Sequence, residues 1–328
     1  MRPIEIHEIP GFRFGQAEDR VGGTGCTVIL CAEGAVTGVD VRGGSPATRD
    51  TDALDPVCHR EAVHAVVLTG GSSFGLDAAG GVMGRLEEAG IGRDVGVTVI
   101  PNVCAAVLFD LKCGRSDVRP DAAMGRAACE EALRGLPFAE GGHGAGTGCT
   151  VGKLLGPDHA MKGGIGASAW RQGDLMVGAV VACNAMGDVV RGGRILAGAR
   201  RPDGDGFVGS EDWLLAHGTR QRDVFTGRYV GENTVIGRVV TNAALTKSQM
   251  KKLAAVAQNG VARSVRPAHA TFDGDTMFAM SCGDVPADPD AVGVLAARAV
   301  EEAIVRSVET AESLYGRPAR RDLPFRQD

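Results

Sequence analysis

The stretch Gly231-Glu232-Asn233-Thr234-Val235-Ile236-Gly237-Arg238-Val239-Val240-Thr241-Asn242-Ala243-Ala244-Leu245-Thr246-Lys247 decides how the chain folds. A polar segment gives way at Thr234 to a β-branched run, which reads as a strand. Thr246 with Gln249 then makes a capping box. Met250, Leu253, Val256, Ala257 and Val261 share one face of the helix it opens. The dipeptide Asn233-Thr234 admits two readings. One is a loop-to-strand junction, with Asn in the turn and Thr as the first strand residue. The other is a processing point. A chain cut before Thr234 carries a hydroxyl beside a free α-amine, and such an amine activates an otherwise weak alcohol nucleophile. The amine titrates near pH ~8, so it can accept a proton at neutral pH.

Outward from this stretch, apolar runs bounded by Gly, Asp or Asn recur at Cys26–Cys31, Ala35–Val41, Ala65–Thr69, Val95–Ile100 and Leu175–Cys183. Each reads as a strand. Helical spacing links Leu76, Ala79, Val82, Met83 and Leu86, ending near Gly90. A second helix opens at Pro120 and stops at Gly135. Asp288-Pro289 starts a long last helix, with Val292, Ala296, Ala299, Val300, Ala303, Ile304, Val308 and Ala311 on its inner face. Strands and helices mix without a steady βαβ rhythm. That favours an α/β chain in αββα layers over a doubly wound parallel sheet. No internal repeat is present. Residues 188–233 are rich in charge and glycine and read as a mobile surface segment ending at the Asn233 junction.

Composition narrows the function. Glycine is 49 of 328 residues, about twice the usual share. Such a chain brings its elements close together through many tight turns. A net charge of −5 leaves no basic patch, so nucleic acid is not an expected partner. The nine cysteines are odd in number and none is spaced CxxC. They read as small apolar side chains in a reducing compartment. With no apolar signal core at the N-terminus and no run long enough to span a membrane, the expected location is the cytoplasm.

Several motifs are excluded by spacing. Gly142-His143-Gly144-Ala145-Gly146-Thr147-Gly148-Cys149-Thr150-Val151-Gly152-Lys153-Leu154 lacks the first glycine and the final Ser or Thr of a phosphate-binding loop. Gly70-Gly71-Ser72-Ser73-Phe74-Gly75 matches a dinucleotide loop only weakly. Close packing explains both, and backbone N–H groups at a helix start remain a possible binding feature. The seven histidines form no zinc motif, so no metal and no cofactor is expected. There is no GxSxG elbow. Phe272-Asp273-Gly274-Asp275-Thr276 is more pointed. In a strand Asp273 and Asp275 share a face, where like charges repel unless they ligate something or share protons. An Asp-Gly turn entering a strand is the alternative. Asn184 ends an apolar strand, where its amide can either cap a turn or donate to an oxyanion.

Taken in order along the chain, these residues resemble the self-processing DmpA/β-aminopeptidase family, whose members cut themselves before a Ser or Thr. Val41-Arg42-Gly43-Gly44-Ser45-Pro46-Ala47-Thr48-Arg49-Asp50-Thr51-Asp52, Gly70–Ala79, Lys162-Gly163-Gly164-Ile165-Gly166 and Arg266-Pro267-Ala268-His269 leading into Asp273-Gly274-Asp275-Thr276 carry the likeness. The chain is most similar to the nylon oligomer endo-hydrolase branch, which pairs a Thr after Asn with two aspartates. The resemblance implies a single four-layer αββα domain over 1–328, of the DmpA/ornithine acetyltransferase kind. It implies self-cleavage at Asn233–Thr234 into 1–233 and 234–328, and amide hydrolysis through an acyl-enzyme on Thr234. By that carry-over Asp273 and Asp275 hold the amine and hydroxyl, and Asn184 donates to the oxyanion. A lysine joins them, either Lys153, whose spacing to Asn184 is better, or Lys162, in the more recognisable motif. Relatives place a tyrosine in the pocket where this chain has Phe109, which cannot donate a hydroxyl hydrogen bond. The resemblance further implies a small amide or peptide substrate and a tetramer of cleaved protomers. Two other functions stay open: acyl transfer on the same fold, and an uncleaved scaffold that binds a small ligand through its Gly-rich loops.

Overall fold

The computed structural model describes residues 1–218 and 233–323. Its main sheet is one hydrogen-bonded run of strands folded over on itself into two facing layers. The order is Arg2–Ile4, Gly164–Gln172, Leu175–Asn184, Thr234–Ala243, Thr276–Val285, Thr24–Val41, Ala62–Thr69, Val103–Val107 and Thr48–Arg49, with Arg13–Asp19 also on Thr24–Val41. The strand Thr24–Val41 is the joint. Its first part pairs with Arg13–Asp19 and Ala62–Thr69, its last part pairs with Thr276–Val285, and the register shifts between Leu30 and Ala35.

The period-2 alternation of the strands sorts the core into three slabs. Ile236 and Val240 face Phe278, Ile29, Val66 and Leu68 between the two sheets. Val235 and Val239 face the opposite way, onto the helices Lys247–Ser264 and Pro289–Glu309. Val28, Leu30, Ala65 and Val67 are covered by Ala78–Glu88 and Ala122–Arg134. The result is helix, sheet, sheet, helix, as the lack of a βαβ rhythm predicts.

The helix ends follow local sequence. Thr246 Oγ1 accepts from the Gln249 amide while the Gln249 side chain receives the Thr246 N–H, completing the capping box. Asp288 caps the last helix, with Pro289 at its first turn. Gly135 ends Ala122–Arg134 in the left-handed region, and Asp121 rather than Pro120 is that helix's cap.

Two expectations are corrected. Val95–Ile100 is not a core strand. Val97 is 91% exposed, and only Val99–Ile100 pairs, with Arg93–Asp94. The Gly96 amide donates to Asp94 Oδ1 at 2.8 Å, an Asx turn that breaks the run. The buried strand is Val103–Val107, a few residues on. Residues 188–218 are also built into the fold. Asp188–Arg191 pairs with Arg194–Ala197 and Val265–Arg266, and Ser210–His217 is helical. The buried Asp188 carboxylate accepts from the Ala199 amide (2.9 Å), the Ser210 amide (2.7 Å) and Ser210 Oγ (2.7 Å), which pins this segment down. The rest of the expected mobile segment, 219–232, lies outside the described residues. Among the described residues no helix is long and apolar enough to cross a membrane.

Candidate active site

Thr234 begins its strand at the centre of the sheet, between two strands that each bring chemistry. Asn184 is its direct partner on the antiparallel neighbour Leu175–Asn184, so both side chains lie on one face. On the other side the parallel strand Thr276–Val285 is in register at Ile236 and Thr276, and Asn233 bridges to Asp273. Three segments far apart in sequence therefore converge on one face at one end of the sheet.

The Thr234 hydroxyl donates to the Asn233 carbonyl of its own preceding peptide, and the Gly274 amide reaches Thr234 Oγ1 at 3.3 Å. A Cβ on Gly274 would stand 3.0 Å from that oxygen, so a residue without a side chain is what lets the backbone come this close. Asp275 Oδ1 accepts from the Val235 amide at 2.7 Å. Its Oδ2 accepts from the His269 amide at 3.1 Å and pairs with His269 Nδ1 at 2.8 Å. Asp273 Oδ2 accepts from the Ala270 amide at 3.0 Å. Both aspartates are buried, at 2% and 1% exposed.

Lys153 completes the cluster. Its Nζ donates to the Asn184 carbonyl and to Asn184 Oδ1, each at 2.8 Å, and the Thr150 amide reaches the same Oδ1 at 3.0 Å. Asn184 Nδ2 donates to the Phe109 carbonyl at 2.8 Å, so Phe109 enters the site through its backbone. Burial pushes Lys153 down to about 8. Burial first, and then the charge of Asp275, push Asp273 well above the usual carboxylate range. Lys153 and Asp273 act on each other as opposite charges. A buried acid shifted upward and a buried base shifted downward thus lie in one cluster, a setting suited to proton transfer.

The structure separates the two lysines. Lys162 is fully buried and its ammonium donates to the carbonyls of Gly146, Cys149 and Gly163 at 2.9 to 3.1 Å. It ties backbone together at Gly146, Cys149 and Gly163, whereas Lys153 is the lysine held against Asn184. The glycine-rich loops are filled by the protein's own carboxylates. The Gly71 amide donates to Asp110 Oδ1 at 2.7 Å and the Gly144 amide to Glu18 Oε2 at 2.9 Å. A phosphate would meet negative charge in either place. No group of His, Cys, Asp and Glu that could hold a metal occurs among the described residues. His269 was missed by sequence reasoning as a partner of Asp275. It lies within a motif that carried the resemblance, but the pairing needs its left-handed backbone, φ 56°, which spacing does not announce.

Comparison with known proteins places the whole chain in a family and a fold. The profile of peptidase family S58 matches residues 5–321. An uncharacterized aminopeptidase of Mycobacterium tuberculosis (strain H37Rv) is 37% identical, over 91% of this chain and 89% of its own length. A 6-aminohexanoate-oligomer endohydrolase of Agromyces sp. (strain KY5R) is 32% identical, over 86% of this chain and 76% of its own. Among solved structures, the L-aminopeptidase D-Ala-esterase/amidase from Ochrobactrum anthropi, described as a variant of the Ntn hydrolase fold, superposes with a TM-score of 0.63. It is 19% identical and covers 94% of this chain and 87% of that one. At that identity the likeness is one of fold.

Proposed function

The chain belongs to peptidase family S58 and is an amide-bond hydrolase, and from that premise we propose that it matures by cutting itself between Asn233 and Thr234 and then works through Thr234. The observation that carries this is the placement of Thr234 Oγ1 against the Asn233 carbonyl and within 3.3 Å of the Gly274 amide, on a strand whose neighbouring segments bring buried Asn184, with Lys153 bonded to it, and buried Asp273 and Asp275. In the precursor, Oγ attacks the Asn233 carbonyl carbon. The C–N bond breaks, the nitrogen takes a proton to become the α-amine of Thr234, and water hydrolyses the resulting ester. The pieces are 1–233 and 234–328.

In the mature enzyme the new α-amine accepts the Oγ proton as Oγ attacks a substrate amide. Asp273 and Asp275 hold the amine and the strand end that bears it. Lys153 supplies positive charge, and the Asn184 side chain its second N–H as a hydrogen-bond donor, where the oxyanion develops. The leaving amine departs with a proton, and water releases the acyl group from Thr234. The substrate is a short peptide or a linear amide oligomer, a class supported by the names of the two relatives. A tetramer of cleaved protomers rests on the family resemblance. A cytoplasmic location rests on the free state of all nine cysteines.

The test is the intact mass of the purified protein under denaturing conditions. Two fragments, the smaller beginning at Thr234, are expected. The Thr234→Ala variant is expected as one full-length chain without hydrolase activity. Cleavage at the same bond in that variant would remove Thr234 as the agent of processing.

A further inference from the structure

The buried Asp275 ties together three segments of the site. Its Oδ1 accepts from the amide of Val235, the residue that follows Thr234, at 2.7 Å. Its Oδ2 takes two donors from one residue, the His269 amide at 3.1 Å and His269 Nδ1 at 2.8 Å. Its backbone carbonyl accepts from the Arg42 amide at 2.9 Å. The amide of Gly274, the residue before it, lies 3.3 Å from both Thr234 Oγ1 and the Asn233 carbonyl oxygen. The carboxylate thus grips the chain just after the Asn233–Thr234 bond, while the neighbouring peptide meets the two oxygens on either side of the attack.

His269 is shaped for its contact with that carboxylate. Its backbone is left-handed, φ 56°, in a region that few residues other than glycine occupy. This turn brings its N–H and its ring onto the same oxygen. A carboxylate only accepts hydrogen bonds, so the ring proton sits on Nδ1 and Nε2 is left as an acceptor. Nε2 is buried and has no partner among the described residues, so the ring bonds to Asp275 through Nδ1 alone. Without the ring, Oδ2 would keep a single amide. The carboxylate could then swing about its Cβ–Cγ bond, a soft torsion, and release Val235.

Given the reading of Thr234 as the nucleophile that cuts before itself, on which this rests, we propose that His269 is a positioning residue for that chemistry. Its Nδ1–H locks the Asp275 carboxylate in the rotation that holds the Val235 amide, and so keeps Thr234 Oγ1 aimed at the bond it attacks. His269 acts through Asp275 and takes no proton in the reaction. A small error in aim at the reacting atoms lowers the rate steeply, so a group outside the reaction can still set its speed.

Self-cleavage needs no added substrate, so its rate is the readout. Newly translated, isotope-labelled precursor is chased, and the fragments are resolved in denaturant. His269→Gly keeps the left-handed backbone and removes the ring. His269→Asn also tolerates that backbone and places an amide N–H where the Nδ1–H lies. His269→Gly is expected to slow cleavage at least about tenfold, and His269→Asn to return it to within about threefold of the wild type. Cleavage by His269→Gly at the wild-type rate overturns the inference, as does equal slowing by both variants. A wild-type precursor that never cuts overturns instead the reading of Thr234, and does so without any variant. The ring is also read directly in the uncut Thr234→Ala protein at pH ~8, where neutral imidazole prevails. There the proton–nitrogen correlation spectrum of His269 is expected to show a proton on Nδ1 and none on Nε2. The opposite tautomer overturns the inference whether or not the chain cuts and whether or not His269→Gly folds.

Discussion

Around Thr234 the side chains are arranged at a cost to stability, and that cost has a measurable sign. Asp273 is held with its carboxyl raised far above its ordinary value because burial and the charge of Asp275 both oppose ionisation. Between the ordinary carboxylate range and about pH 8 the folded chain therefore holds a proton that the unfolded chain has lost. Stability contributed by neutral Asp273 is present at low pH and falls as pH rises through that window. Lys153 has the opposite sign at higher pH, since its folded value of about 8 lies below its ordinary one. In an uncut Thr234→Ala background, Asp273→Asn is expected to raise the melting temperature, by more at pH ~8 than at pH ~5. Thermal melts at the two pH values check this, and a gap that stays constant would mean that Asp273 is ionised throughout. The same residue scale shows what spacing reveals. Asp273 and Asp275 were visible as an alternating pair, but the two take different partners, the Ala270 amide for one and Val235 and His269 for the other.

At the scale of elements, glycines set the distance between strand and helix. Gly166 lies in the strand Gly164–Gln172, under the helix Pro289–Glu309. A Cβ there would stand 2.1 Å from the Ala303 carbonyl and 2.6 Å from the Ser307 amide, both of them backbone. Neither can swing aside, so the helix must move. Gly166→Ala is expected to cost about 1–3 kcal/mol, the range of overpacked cores. Urea denaturation of the uncut Thr234→Ala protein, with and without this change, reads the difference, and an unchanged midpoint would show that the layers can part freely. The capping box at Thr246 and the proline start at Pro289 were legible because both are local chemistry. The misplacement of Val95–Ile100 has an equally physical origin. Apolar content alone does not distinguish an exposed turn from the buried strand Val103–Val107 that follows it.

For the whole molecule, the position of the Thr234 strand bears on what the proposed cleavage would do. That strand is bonded on one side to Leu175–Asn184 and on the other to Thr276–Val285, so its neighbours would belong to the two opposite pieces of a chain cut before Thr234. Thr24–Val41 clasps Thr276–Val285 from the far side, again across the division. The core between the sheets mixes Ile29, Val66 and Leu68 from one piece with Ile236, Phe278 and Met280 from the other. The cleaved protein is therefore expected to run as one particle in native gel filtration with light scattering, and to separate only in denaturant. Fragments that part without denaturant would contradict this shared core. The same measurement gives the number of protomers.

The sequence by itself determined most of the elements and their caps, and it singled out a candidate reactive set. Periodicity, turn residues and a capping box are properties of neighbouring residues, and Thr234, Asp273, Asp275 and Asn184 stood out from local pattern and from an ordered family resemblance. Only the tertiary structure decided which lysine lies against Asn184. Lys153 and Lys162 are both buried cations in the same stretch of chain, and what separates them is whether the ammonium meets Asn184 or three backbone carbonyls. It also decided that His269 faces Asp275 and that Arg238 is buried against the Ile29 carbonyl and the Phe12 ring. Those pairings join residues from different strands and loops, and no spacing along a single chain encodes the angle at which two layers cross.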